Sequence, residues 1–128
     1  MNLKTIFKRL ILLDLSLIIL IIVTVFFESA EVADFNRYFE NDFSNAIFII
    51  FGIALLIHLF NLFLLYKFKS IGKQMYPFTY IIALLLALLG GPIALDPWTY
   101  VLDGIEMSVA GALLVLLYFS PIKKEFDK

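Results

Sequence analysis

Apolar residues in this chain run in four long blocks separated by short polar segments. Three are Leu10 to Phe27, Ala46 to Tyr66 and Pro77 to Leu95, and the fourth closes near Phe119. A helix needs about 20 residues to cross a hydrocarbon core of about 30 Å. No block alternates with period two, and lipid admits no unpaired backbone. The pattern therefore predicts an all-α integral membrane protein: a four-helix transmembrane bundle forming one membrane domain over residues 1–128. The spans expected are 10–27, 46–66, 77–95 and 97–119.

The start of the fourth span has two candidates in "DPWTYVLDGIE". Asp96 followed by Pro97 gives a favoured cap and a favoured first residue. Asp103 with Glu106 gives a capping box instead. A start at Pro97 allows roughly 35 Å of helix against roughly 24 Å from Gly104, so length favours Asp96 as the cap. It also places Trp98 and Tyr100 in an outer aromatic belt. The third span meets Gly90, Gly91 and Pro92, which either kink the helix or break it. Pro77 is expected in the first turn of that helix.

Between spans one and two, residues 31–45 carry Val32, Phe35, Phe39 and Phe43 at helical spacing, with acidic residues around them. This predicts an amphipathic outer helix held by burial of the three phenylalanines.

Charge then orients the blocks. Of ten basic residues, nine (Lys4, Lys8, Arg9, Lys67, Lys69, Lys73, Lys123, Lys124 and Lys128) fall before span one, between spans two and three, or after span four. By the positive-inside rule both termini are cytoplasmic, and a multi-pass cell (inner) membrane protein is expected. The first block reads as an uncleaved span, because Asp14 interrupts it and "ESA" is a poor cleavage site. Composition agrees: 62% of residues are apolar against roughly 45–50% in soluble domains. There are no cysteines, which excludes disulfides and thiolate chemistry.

The candidate chemistry lies in polar residues within the spans: Glu106, Asp103, Asp14, His58 and Asn61. His58 and Asn61 are three apart and share a face, where Asp14 is expected to accept their hydrogen bonds. Under the Asp96 start, Glu106 lies roughly 14 Å below the top of its helix, close to mid-membrane. Intramembrane carboxyls default to a functional reading. The opposite stripe of span four, Gly104, Ser108, Gly111 and Ala112, is expected to pack a helix closely. No metal site, cofactor or catalytic group is expected, since one histidine with scattered carboxylates is not a usual ligand set. Three lysines in the inner loop are too few for nucleic acid. The partners expected are the lipid bilayer and a protein partner or second copy of the chain. The leading expectation is an accessory or immunity-type membrane protein acting through that partner. The alternative is a small proton- or cation-coupled transporter or channel using the intramembrane carboxylates.

Overall fold

The computed structural model describes residues 2–40 and 42–127, apart from the side chains of Asp42 and Ser44. It is all helical: α1 (Leu3–Phe26), α2 (Ala30–Tyr38), α3 (Asp42–Tyr66), α4 (Ser70–Leu89), α5 (Pro97–Phe119) and a closing 3-10 turn (Pro121–Glu125). Four helices, α1, α3, α4 and α5, are long and apolar enough to cross a membrane.

They pack as two close pairs, α1 with α5 and α3 with α4; α1 also touches α3, and α4 touches α5 least. Lys4 Nζ meets Glu125 at 2.7 Å, while the Ser29 amide donates to Asp96 at 2.9 Å. These contacts lie at opposite ends of the bundle, so α1 and α5 are antiparallel and the two termini share one end. That end, the base, is sealed by aromatic packing. Phe7 lies 5.8 Å from both Phe68 and Phe126, and Phe68 lies 5.3 Å from Phe126. Ile122 and Phe126 of the closing turn are buried here. Lys8 lies over the rings of Tyr66 and Phe68, which lets a basic side chain border this apolar plug.

The ring of Phe68 reaches the plug from an unusual backbone. Its φ of 54° is left-handed, a region side chains avoid at a cost of about 1–2 kcal/mol. The conformation closes α3 with a Schellman pattern: Lys69 N donates to Leu64 O and Phe68 N to Leu65 O, both at 2.9 Å. Ring packing offsets what glycine would avoid.

Several boundaries differ from those expected. α1 begins at Leu3 rather than Leu10, because Asn2 caps it by accepting from Lys4 N at 3.1 Å and the early lysines find partners. α4 begins at Ser70, seven residues before Pro77, so Pro77 is interior rather than in the first turn. The 20 residues of α4 give about 30 Å, enough to span unaided. The helix stops at Leu89, and residues 90–96 form an irregular strap rather than the last turns of a span 77–95. Gly91 at φ 88° turns the chain there. α5 starts at Pro97 as expected, but the Asp96 side chain makes no bond to its own helix. It accepts from Ser29, the residue that caps α2.

The outer helix is also shorter than the 31–45 expected. α2 ends at Tyr38, and Phe43 belongs to α3. The face that α2 turns inward is Val32, Ala33 and Asn36, while Phe35, Phe39 and Phe43 are exposed. Three buried phenylalanines therefore do not hold it down within the chain. Asn36 does: its Nδ2 donates to Ala94 O (3.1 Å) and its Oδ1 accepts from Ala94 N (2.8 Å). This double bond joins α2 to the strap.

Candidate functional site

Inward-facing positions on α1 recur at three- and four-residue steps: Phe7, Ile11, Asp14, Leu17 and Ile18. The face of α5 that meets α1 carries Glu106, Ala110, Leu113 and Leu117 at the same steps. A carboxyl thus occupies one position of each apolar stripe. With α1 starting at Leu3, Asp14 sits near the middle of its helix, whereas a start at Leu10 put it in the half nearest the base. Measured from the far end, Asp14 lies about 18 Å and Glu106 about 14 Å down, at 1.5 Å per residue. The antiparallel pairing brings them together.

Asp14 is completely buried. Neither of its two carboxyl oxygens has a hydrogen-bond partner among the described residues, and the carboxyl that neighbours it from α5 is that of Glu106. Two ionised carboxylates are acceptors only and repel each other, so a direct bond between them requires a shared proton. The Tyr76 hydroxyl of α4 is also buried without a partner among the described residues. Tyr80 lies one turn further along α4 and is half-buried. Asp103 lies one turn above Glu106 on α5. Glu106 and Asp103 are half-buried. They lie beside the seam between α4 and α5, the loosest contact in the bundle. The cluster is thus sealed at Asp14 and more open toward Asp103. Among the described residues no group of three or more metal-binding side chains forms.

His58 and Asn61 face the same way, as their spacing implied, but they meet α4 rather than Asp14. His58 Nδ1 lies 3.1 Å from Thr79 Oγ1, and its ring lies 5.5 Å from that of Tyr76. Thr79 Oγ1 in turn donates to Tyr76 O at 3.0 Å. With its amide oriented to satisfy both ends, Asn61 donates to Gly72 O and accepts from Tyr76 N, each at 3.0 Å. Those are the two groups that an uninterrupted helix pairs with each other. They sit beside Pro77, whose ring crowds the turn before it. Pro77 also lacks the N–H that would reach Lys73 O, and Tyr118 of α5 donates there instead at 2.7 Å. A proline inside a membrane helix is tolerated when neighbouring side chains take up the freed groups in this way. The close approach that lets Asn61 reach is made at Gly72, where a Cβ would fall 2.9 Å from Leu64 Cβ.

The small-residue stripe of α5 does not pack within the chain. Gly104, Ser108 and Ala112 are exposed, Gly111 partly so, and a Cβ at either glycine would meet open space. The face of α5 that packs on α1 is the one bearing the acids. Ser108 satisfies its hydroxyl on Gly104 O at 2.9 Å, so it can face lipid at little cost.

Sequence reasoning missed Asn36, Tyr76, Thr79 and Tyr118. Tyr76 lies just before the expected span 77–95 and so was not read as an interior residue. The only sequence signal for Tyr118 is Pro77 itself, which leaves a carbonyl needing a donor.

These features define the class: a small, all-helical protein with four helices long and apolar enough to cross a membrane and a carboxyl on each of two inward-facing stripes. Comparison of the chain with protein-family models, curated proteins and solved structures finds no match.

Proposed function

We propose that the protein is a small membrane transporter or channel that takes up and releases protons, or a cation in exchange for protons, at Asp14 and Glu106. The observation that supports this reading is the meeting of two carboxyls from different helices at mid-depth, with no hydrogen-bond partner for Asp14 among the described residues. Burying an ion pair or a like-charged pair costs several kcal/mol per ion, about as much as a bundle of this size can spare. Apolar residues at those two inward positions would pack α1 on α5 without that cost. Intramembrane carboxyls facing a bundle interior mark ion and proton pathways. The looser α4–α5 seam, with Tyr80, Asp103 and Glu106 beside it, is the natural side for exchange. The distribution of basic residues supports an orientation with the base in the cytoplasm and the strap outside, in the inner membrane.

The test is proton flux into proteoliposomes, followed with an entrapped pH-sensitive dye under an imposed potential. Wild-type protein should carry flux above protein-free vesicles. Glu106→Gln, which keeps size and hydrogen bonding, should reduce it at least about tenfold. Flux unaffected by that change would end this reading.

A second reading, an accessory or immunity-type protein bound to a membrane partner, is favoured by one observation. The stripe of Gly104, Ser108 and Gly111 is left uncovered on α5, and small residues of this kind let another helix approach closely. Bulky substitutions there should release a co-purifying chain or dissociate an oligomer, with no effect on the carboxyl pair.

A further inference from the structure

A cavity of about 590 Å³ lies under α2, and none of its lining residues belongs to the carboxyl cluster. Its walls are the outer ends of α3 and α4, its roof is α2, and one side is the strap that follows Leu89. That volume falls in the usual range for small-molecule sites, about 300–1,000 Å³. The wall is apolar, running from buried Leu86 to exposed Phe51 and Phe48 on its open side. The rim is polar and carries Glu28, Arg37 and Glu40.

Two further observations bear on what fits. First, the strap is irregular backbone at the top of a membrane helix. Such backbone is tolerated where it lines a cavity, and interrupted helices of this type build ligand sites. Asn36 pairs with both polar groups of Ala94, which ties the strap to α2, and its Nδ2 also donates to Glu28 at 3.5 Å. Second, the surroundings are acidic. The rim has two carboxylates to one guanidinium, and Glu31, Asp34 and Asp96 lie nearby on the same segments. Arg37 already faces Asp34 at 3.7 Å. A wall that is apolar below and anionic above complements a molecule with an apolar body and a positive head.

We propose that this cavity binds a single-chain cationic amphiphile, an alkylammonium compound, with its chain against Phe48, Phe51 and Leu86 and its ammonium at Glu28 and Glu40. The site is independent of the carboxyl pair, and its test does not depend on transport. The head lies at the level of α2, and the chain points down toward the hydrocarbon, so the ligand enters from the outer leaflet side of the strap. Asn36 sets the width of the mouth.

The experiment is equilibrium binding of radiolabelled dodecylamine to the full chain in nanodiscs of zwitterionic lipid, with empty nanodiscs subtracted. The expected result is saturable binding at one per chain, competed by unlabelled dodecylamine and not by dodecanoate. Ala33→Trp, which fills the cavity from α2, should weaken binding at least about tenfold. The pair Glu28→Gln and Glu40→Gln should weaken the amine by a similar factor and abolish discrimination against dodecanoate. If Ala33→Trp loses helical content, Ala87→Phe fills the same space from α4. Non-saturable uptake that is equal in wild type and the filled variants overturns the proposal. Equal competition by dodecanoate overturns its charge assignment.

Discussion

Asp14 of α1 and Glu106 of α5 face each other inside the bundle, each at a position where its helix otherwise presents an apolar side chain. Among the described residues the other fully buried side-chain polar atom without a partner is the Tyr76 hydroxyl. The pair is therefore a cost to the fold, and the first prediction follows from that.

Replacing both acids by leucine, Asp14→Leu with Glu106→Leu, should stabilise the protein. Exchange of a buried charged group for apolar side chains of similar size is commonly worth about 1–4 kcal/mol. Thermal unfolding in mild detergent should move to higher temperature while proton flux is lost. A variant that melts lower would mean that the pair holds the bundle together.

The Tyr118 hydroxyl substitutes for the N–H missing at Pro77. Tyr118→Phe should cost about 1 kcal/mol by leaving Lys73 O short of a donor. In a Pro77→Ala background the backbone N–H of residue 77 reaches that carbonyl, and the same change should cost almost nothing. A double-mutant cycle measured by unfolding reads the coupling. Equal costs in both backgrounds would contradict the substitution.

Gly72 sets the distance between α3 and α4. With a Cβ placed 2.9 Å from Leu64 Cβ and 3.0 Å from Leu65 N, Gly72→Ala must push the helices apart. Overpacking of this kind costs about 1–3 kcal/mol. It should also draw Asn61 off Gly72 O and Tyr76 N, so Asn61→Ala added to Gly72→Ala should cost less than Asn61→Ala alone. Unfolding midpoints of the three variants decide it.

Much of this architecture was legible in the sequence, and the reasons are physical. Four helices long enough to cross follow from block length alone, and α5 starts at Pro97, a favoured first residue after Asp96. What was misread follows from treating polar residues as boundaries. Lys4, Lys8 and Arg9 were taken to exclude residues 3–9 from the first helix, yet Lys4 is accommodated by Glu125 and Lys8 by the aromatic plug. That error placed Asp14 too near the base and matched it with His58 and Asn61 instead of Glu106. Pro77 was taken as a helix start, although Asn61 and Tyr118 make it tolerable inside one. The stripe of Gly104, Ser108, Gly111 and Ala112 shows the converse. Spacing reveals a face, but which of two faces meets a neighbour depends on tertiary placement that spacing does not carry.

Asn36 fastens α2 to the strap through both ends of its amide. Asn36→Ala should free α2 without unfolding the four long helices. Hydrogen exchange of residues 30–39 should rise by at least about tenfold, while α3 and α4 stay protected, as expected for a local opening. Asn36→Asp keeps the acceptor but loses the donor and should fall between the two. Exchange unchanged in Asn36→Ala would show that other contacts hold α2.

The central claim is that Asp14 and Glu106 act as one site, and the direct measurement is proton flux in proteoliposomes for Asp14→Asn, Glu106→Gln and the double variant. Groups that act as a unit lose their effect together, so each single change should cost nearly as much as the pair, with the double no slower than the worse single. Losses that multiply in the double variant, or flux that survives all three, would contradict the account.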